Sequence, residues 1–252
     1  MAQSFNIKRV SSLMYRNLVL LRGAIITTLL VAGGLILVAT LLSIRGDYVV
    51  KSNEFIGVFS VLFLSIGLLF TFAIFREMHS GKSSYFYFLL PVTALERVIA
   101  AWLLSNVIYI IVFTFFAFVI GQIAILLCSF SPSTGIHFLP IFSETFWTVV
   151  KFYFFVQPAF LLGAVVFSKN RIGKTLLAAI VVFFCVFIYN LILCFAFTGG
   201  AFDVFTSDPF STDAFDLATK DVSGIGAFLF SLVFGPMMLL VTYFRITEKE
   251  IR

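Results

Sequence analysis

One stretch approaches a nucleotide-binding signature: SKNRIGKT, residues 168–175. Its spacing matches the phosphate loop G-x-x-x-x-G-K-[ST], except that Ser168 replaces the first glycine. A phosphate loop lies between a buried strand and a helix of a soluble α/β domain, whereas this stretch lies between two long apolar runs. We therefore interpret Lys169, Arg171 and Lys174 as membrane anchors and partner contacts, and we expect no nucleotide site and no enzymatic activity in this chain.

The apolar runs lack the ionisable and metal-binding residues that a metal site or a proton relay would need. His79 and His137 fall in segments on opposite sides of the membrane and cannot share a metal. No Asp, Glu, His, Lys or Arg lies deep inside any run, although ion-coupled transporters and intramembrane metalloenzymes place such groups there. We expect no metal and no cofactor. Ion coupling is disfavoured, but coupling through Ser, Thr, Asn or backbone groups stays open.

Composition decides the broad class of protein. Of 252 residues, 61% are hydrophobic and 12% are charged, and the mean hydropathy is +1.11. A soluble domain has about twice this share of charged residues, and a disordered chain has low hydrophobicity. The sequence therefore predicts a membrane protein that crosses the bilayer several times.

The length of the apolar runs predicts an all-α fold, because about 20 apolar residues cross the roughly 30 Å hydrocarbon core as a helix. Six runs meet this length: residues 24–44, 55–75, 98–128, 152–167, 175–198 and 225–244. The third is longer than needed, so it tilts, extends beyond the bilayer or contains a break. The fourth contains Pro158, which neighbouring helices can accommodate.

The distribution of charge predicts the orientation of the chain. If the N-terminus is cytoplasmic, 13 of the 17 lysines and arginines lie inside, as the positive-inside rule requires. Both termini are then cytoplasmic, in a cytoplasmic (inner) membrane. The basic character reflects topology, so no nucleic-acid partner is expected. The acidic segment 199–224 lies outside, either solvated or folded back toward the membrane.

The segment before the first run predicts an amphipathic helix over residues 4–22. Apolar residues recur there at helical spacing, and Lys8, Arg9 and Arg16 lie mostly on the other side. Such a helix lies in the membrane interface. The alternative is a basic anchor that only fixes orientation.

The cytoplasmic segment 76–97 is apolar and aromatic in its middle, although it lies between two complete spans. It reads REMHSGKSSYFYFLLPVTALER. Pro91 stops the preceding structure, and Thr93 with Glu96 forms a capping box for a helix that continues into the third span. The segment is either a simple connection between two helices or a surface that binds a soluble partner.

These features resemble the permease subunit of a type-2 ABC (ABC-2) transporter. The resemblance is carried by six spans, the N-terminal interfacial helix and L-P-V-T-x-x-E at residues 90–96. It implies a homodimer or heterodimer of permeases above a separate cytoplasmic ATP-binding subunit, and movement of a lipid, peptide or other amphipathic compound. It also implies coupling roles in the segment 76–97, with Arg76 and Glu77 as hinge or docking contacts, Pro91 and Thr93 shaping the coupling helix, and Glu96 and Arg97 in electrostatic docking.

Two other hypotheses remain open from the sequence. The chain could be a non-transporting accessory subunit that anchors an ATPase of the cell envelope. It could instead be a secondary transporter. Transport measured after reconstitution distinguishes a permease from an accessory subunit, and a companion with a complete phosphate loop distinguishes it from a secondary transporter.

Overall fold

The computed structural model of the protein describes residues 5–47, 52–79, 81–128, 143–197 and 233–250, whose regular structure is entirely helical. The helices in chain order are α1 (Ile7–Asp47), α2 (Ser52–Ile74), α3 (Gly81–Phe88), α4 (Ala94–Leu103), α5 (Tyr109–Cys128), α6 (Glu144–Val166), α7 (Arg171–Phe197) and α8 (233–250). A 3-10 turn, Glu77–His79, precedes α3, and a π-helical turn, Leu104–Ile108, joins α4 to α5.

Within the described residues, five helical segments are long and apolar enough to cross a membrane. They belong to α1, α2, the continuous α4–α5 unit, α6 and α7. The all-helical, multi-pass membrane prediction is confirmed to this extent. The predicted sixth span, 225–244, begins outside the described residues and continues into α8, and the predicted outer segment 199–224 lies wholly outside them.

The first helix differs from its prediction, because 4–22 and 24–44 do not form two elements. α1 continues without interruption through Gly23, where no signal stops it. Its 41 residues extend about 60 Å, roughly twice the hydrocarbon thickness. Tilt alone would have to reach about 60°, well beyond the usual range. The N-terminal part of α1 therefore projects beyond the membrane core.

The third span begins with the capped helix that the sequence predicts, and the fourth begins earlier than predicted. The third starts at Ala94 because of the cap before it, and it widens by one π turn without breaking. The fourth starts at Glu144, not at residue 152, because the Ser143 hydroxyl accepts the amide of Phe146 at 3.2 Å. Pro158 lies inside α6, which remains helical to Val166.

Close contacts between α2, α5 and α6 build an aromatic core. The rings of Phe63, Tyr109 and Tyr153 lie with their centroids 5.1–5.4 Å apart. Gly67 is required beside them, because a Cβ atom there would lie 2.6 Å from the Tyr153 ring. This packing fixes α2, α5 and α6 as one unit, and the ends of these helices position the site described below.

Candidate functional site at the basic end of the bundle

The start of α4 is the capping box that the sequence predicts. The Thr93 hydroxyl accepts the amide of Glu96 at 3.3 Å, and the Glu96 carboxylate accepts the amide of Thr93 at 2.8 Å. A tight turn precedes it, in which the Val92 amide donates to the Leu90 carbonyl at 2.7 Å. Pro91 lies in this turn and separates α3 from α4, so the predicted stop is confirmed.

Glu96 also holds the N-terminus of α1 against α4. Its second carboxylate oxygen accepts the backbone amide of Asn6 at 2.8 Å and lies 3.5 Å from the Arg9 Nε. Arg9 donates further to the Pro91 carbonyl at 3.3 Å. Since the Glu96 side chain is completely buried, this carboxylate joins two elements that lie 90 residues apart.

Arg97 holds the end of α3 in a similar way. Its guanidinium pairs with the Glu250 carboxylate and donates to the carbonyls of Phe88 and Leu90, each at 3.3 Å. The same group lies 5.1 Å from the ring centroid of Tyr87 and 5.4 Å from that of Phe88. Burial raises the pKa of Tyr87 to about 12, so this ring stays neutral beside the cation.

The charges of Glu96 and Arg97 are therefore turned inward. Electrostatic docking requires exposed charges, but these side chains are 0% and 1% exposed and bind other parts of the same chain. The sequence could not separate the two situations, because a capping box looks the same whichever way its carboxylate faces. In this structure both residues hold other segments of the chain together, and neither contributes a charge to the protein surface.

The remaining predicted site residues divide into two groups. Arg16 of α1 pairs with Glu77 at 2.7 Å, with both side chains partly exposed. Lys8 is exposed, and its backbone amide donates to the Asn6 side chain at 2.9 Å. Arg76 is exposed; its backbone amide donates to the Ala73 carbonyl at 3.1 Å, but its guanidinium has no hydrogen-bond or ion-pair partner in the described part of the chain. Two of these predicted residues therefore bind each other, and two face outward.

Basic side chains cap the helices that end on this side. Arg171 donates to the carbonyls of Phe72 and Phe75 at the end of α2, at 3.4 and 3.3 Å. Lys249 donates to the Val165 carbonyl at the end of α6, at 2.7 Å. The last carbonyls of a helix lack partners within it and carry partial negative charge, so cations are favoured there. Basic residues interpreted as topological anchors thus also terminate helices.

The stretch resembling a phosphate loop has a different conformation from that motif. It begins at the end of α6 and continues into α7, with a bend at residues 168–170. Asn170 has a φ of +50°, a left-handed value that non-glycine residues rarely adopt. No strand precedes it, because the residues before it form α6, and Arg171 points back to α2.

His79 lies between the ends of α2, α6 and α8. Its Nδ1 is 3.1 Å from the Phe75 carbonyl oxygen, and its Nε2 is 3.2 Å from the Lys249 ammonium and 3.3 Å from the Val165 carbonyl oxygen. A neutral ring protonated at Nδ1 donates to Phe75 and accepts from Lys249, whereas the contact with Val165 becomes a hydrogen bond when Nε2 carries a proton. Burial lowers the pKa of His79 below 6.5, and the charges of Lys249 and Arg171 act in the same direction, although the Phe75 hydrogen bond opposes them.

Because His79 is held neutral, acid is expected to destabilise the fold. Between pH 6.5 and the lower native pKa, the unfolded chain binds more protons than the native one, so stability rises with pH in that window. The contribution of neutral His79 to the free energy of unfolding is fully present above about pH 6.5, and it is lost as the pH drops toward the native pKa. The thermal midpoint of the detergent-solubilised protein, measured at about pH 7.5 and 5, should drop less for His79→Gln than for the wild type.

The other histidine provides the control for this experiment. His137 lies outside the described residues, and His137→Gln should retain the full acid-induced drop in midpoint. If acidification lowers the thermal midpoint of His79→Gln as much as that of the wild type, His79 is not the cause of the acid sensitivity.

A short helix, α3, exposes apolar side chains on the side that faces away from the buried charge of Arg97. On α3, Tyr85 and Phe86 are 75% and 69% exposed, and Leu89 immediately after it is 77% exposed. Tyr87 lies on the opposite side of the helix and is buried against Arg97. The surface formed by Tyr85, Phe86 and Leu89, here called the α3 surface, is the exposed apolar part of the predicted coupling segment.

A buried polar cluster at the π turn was missed by the sequence analysis. The Tyr153 hydroxyl donates to the Ser105 carbonyl at 2.6 Å, and the Gln157 amide donates to the Ser105 hydroxyl at 2.5 Å. Both Asn106 amide atoms and the Gln157 carbonyl oxygen are buried without a partner among the described residues. π turns are frequent at functional sites. The Ser-Asn pair in the third span and Gln157 in the fourth were the available signals, but coupling through such neutral groups stayed open in the sequence analysis and no residues were named for it.

The chain matches no protein-family model, no curated protein and no solved structure. The resemblance to ABC-2 permeases thus rests on the sequence features given above.

Proposed function

We propose that this chain is the permease subunit of an ABC-2 type transporter and that a separate cytoplasmic ATPase drives it. The observation that carries the proposal is the α3 surface, an exposed apolar face on a short helix between the second and third spans. An apolar surface of this kind favours contact with a partner protein or with the membrane interface. The ATPase is the partner that we assign to it.

The contacts beneath α3 supply a route for transmitting movement. Arg97 links the end of α3 to α8 through Glu250. Arg16 and Glu77 link the turn before α3 to α1, and Glu96 links α1 to α4. A displacement of α3 by nucleotide-driven closure of the ATPase would therefore act on the first, second and third spans together.

The exposure of α7 supports pairing with a second permease. Within Arg171–Tyr189, only 6% of the apolar stretch is buried by the described residues. A helix that is apolar on all sides requires lipid or another helix around it. We propose that α7 contributes to a permease dimer, that both termini are cytoplasmic, and that the substrate is a lipid, a peptide or another amphipathic compound.

The docking proposal predicts that truncation of the α3 surface releases the ATPase. The tagged full chain would be purified in mild detergent from its native membranes, and an accompanying protein with a complete phosphate loop would be identified by mass spectrometry. The double variant Phe86→Ala, Leu89→Ala should recover at least about tenfold less of it, because central apolar residues dominate the energy of such contacts.

Trp147→Ala is the matched control, because Trp147 is 50% exposed and lies near the start of α6, at the other end of that helix. It should leave ATPase recovery within about twofold of the wild type. Equal recovery with the α3 double variant, or no phosphate-loop protein with the wild type, would contradict the docking proposal.

The polar cluster at the π turn favours a second candidate function, a secondary transporter that uses neutral ligands. Asn106 and Gln157 place unpaired oxygen atoms in the bundle interior, and amide oxygens are ligands for hard cations. Transport by the purified chain in vesicles, driven by an ion gradient alone, would support this candidate over the ATPase-driven permease.

A further inference from the structure

Two adjoining cavities lie between α1 and the end of α2. One is an apolar groove of about 220 Å³ between α1, α2 and α5, and the other is a polar cavity of about 210 Å³ between α1 and the turn before α3. Leu21 and Ala73 line both of them. The cavities are therefore adjacent, and together they have the amphipathic character of a lipid.

The polar cavity is lined by an amide side chain that forms no hydrogen bond to the described residues. Asn17 lines it and is 6% exposed, and no hydrogen bond to its side chain is formed within the described residues. An amide at the wall of a cavity can donate and accept hydrogen bonds with a polar group that enters the cavity. This cavity is thus prepared for a polar group that Asn17 can contact.

The charge around the polar cavity favours an anion. Arg76 lines it, is exposed and forms no ion pair in the described ranges. Glu77 is the acid that lines the cavity, and Arg16 neutralises it at 2.7 Å. The local excess of positive charge therefore lacks a compensating group.

The apolar groove has the length of one lipid leaflet. It follows α1 from Leu18 to Leu29, which corresponds to about 16 Å at 1.5 Å per residue. Half of the hydrocarbon core is about 15 Å thick. Leu69 and Val112 on its rim are 52% and 44% exposed, so the groove is open toward the surrounding membrane and accessible to an acyl chain.

We propose that the two cavities form one binding site for an anionic glycerophospholipid of the leaflet at the basic end of the bundle. Its phosphate lies between Arg76 and Asn17, and one acyl chain lies in the groove between α1, α2 and α5. Basic pockets between membrane helices bind anionic head groups through charge-assisted hydrogen bonds. The site requires the membrane location of the chain but neither an ATPase nor transport.

Native mass spectrometry of the full chain tests this site by titration with long-chain phosphatidylglycerol and phosphatidylcholine. The wild type should show one tight site that prefers phosphatidylglycerol by about tenfold. Arg76→Gln should abolish this preference and leave phosphatidylcholine affinity unchanged. Arg22→Gln removes the same charge from an exposed residue of α1 that lines neither cavity, so it should keep the preference.

The acyl-chain part of the site has its own pair of variants. Ala24 lines the groove and is exposed, so Ala24→Trp fills the groove without disturbing the core. It should lower the affinity for both lipids by at least about fivefold. Ala179→Trp, at an exposed alanine of α7, should change neither affinity.

Three outcomes would overturn the proposal. Equal losses with Arg76→Gln and Arg22→Gln would indicate a diffuse attraction between charges. Unchanged binding with Ala24→Trp would exclude the groove. Glycerol phosphate binding as tightly as the whole lipid would indicate a site for a free phosphate. Because no ATPase is present in the titration, these outcomes are independent of the proposed transport function.

Discussion

Replacing Arg97 by leucine is expected to lower the free energy of unfolding by about 3–5 kcal/mol. Its guanidinium is buried and bound to Glu250 and to the carbonyls of Phe88 and Leu90. The substitution leaves the Phe88 carbonyl without a donor, at about 1–3 kcal/mol, and the Leu90 carbonyl with the Val92 amide alone. It also removes the cation from the rings of Tyr87 and Phe88, at about 0.5–2 kcal/mol. Glu250 contributes less, because it is partly exposed and can be hydrated.

The stability of the variant would be measured by SDS titration of the purified protein in mixed micelles, followed by circular dichroism. Arg245→Leu is the matched control, because Arg245 forms an exposed pair with Glu248 at 2.7 Å on the neighbouring helix α8. Exposed pairs contribute about 0–1 kcal/mol. Similar losses in the two variants would show that the burial of Arg97 does not determine its contribution.

A double-mutant cycle with Glu250→Gln separates the carboxylate from the helix-capping contacts. If capping of α3 dominates, Arg97→Leu remains strongly destabilising in the Glu250→Gln background. If the ion pair dominates, most of the loss disappears. Arg97→Lys should recover part of the stability, because an ammonium retains the charge but not the planar fork that reaches two carbonyls.

The helical membrane fold was predictable because its signals are local. Continuous apolar runs specify helices wherever backbone groups cannot bond to water. The start of α4 was equally predictable, since Thr93 and Glu96 supply each other's partners within one turn. The continuity of α1 was not, because the end of a helix depends on its surroundings and Gly23 is a weak signal either way.

The partners of the buried charges could not be predicted from local sequence. Arg97 and Glu250 are separated by 153 residues, and Glu96 contacts Asn6 across 90 residues. Charge density in a loop predicts the side of the membrane, but it does not distinguish a solvated lysine from one that caps a helix. Lys249 and Arg171 are of the second kind, and only the packing of α2 and α6 reveals it.

Replacing Glu96 by alanine is expected to release the N-terminus of α1 and to cost about 3 kcal/mol, because two backbone amides lose a charged acceptor. These amides belong to Asn6 and Thr93, each at 2.8 Å from the carboxylate. Arg9 loses its carboxylate partner as well. The effect should be local, since the aromatic core around Tyr153 does not contact this carboxylate.

Limited trypsin digestion of the purified protein measures the release. Cleavage after Lys8 and Arg9 requires the first turns of α1 to open, and its rate follows the population of the open state. Each 1.4 kcal/mol increases that population tenfold. The bond to Asn6 is the one that holds α1, and at about 1.5–3 kcal/mol for a charged acceptor its loss should make cleavage there about ten- to a hundredfold faster in Glu96→Ala. Cleavage elsewhere should change much less.

Two controls separate the anchoring role of Glu96 from its capping role. Thr93→Ala removes the cap, at about 1 kcal/mol, but it leaves the bond from Glu96 to Asn6. Glu77→Ala removes the partly exposed pair with Arg16 further along α1, which contributes about 0–1 kcal/mol. Both should accelerate cleavage after Arg9 by less than about tenfold. If Thr93→Ala accelerates it as strongly as Glu96→Ala, the start of α4, and not the bond to Asn6, holds α1 in place.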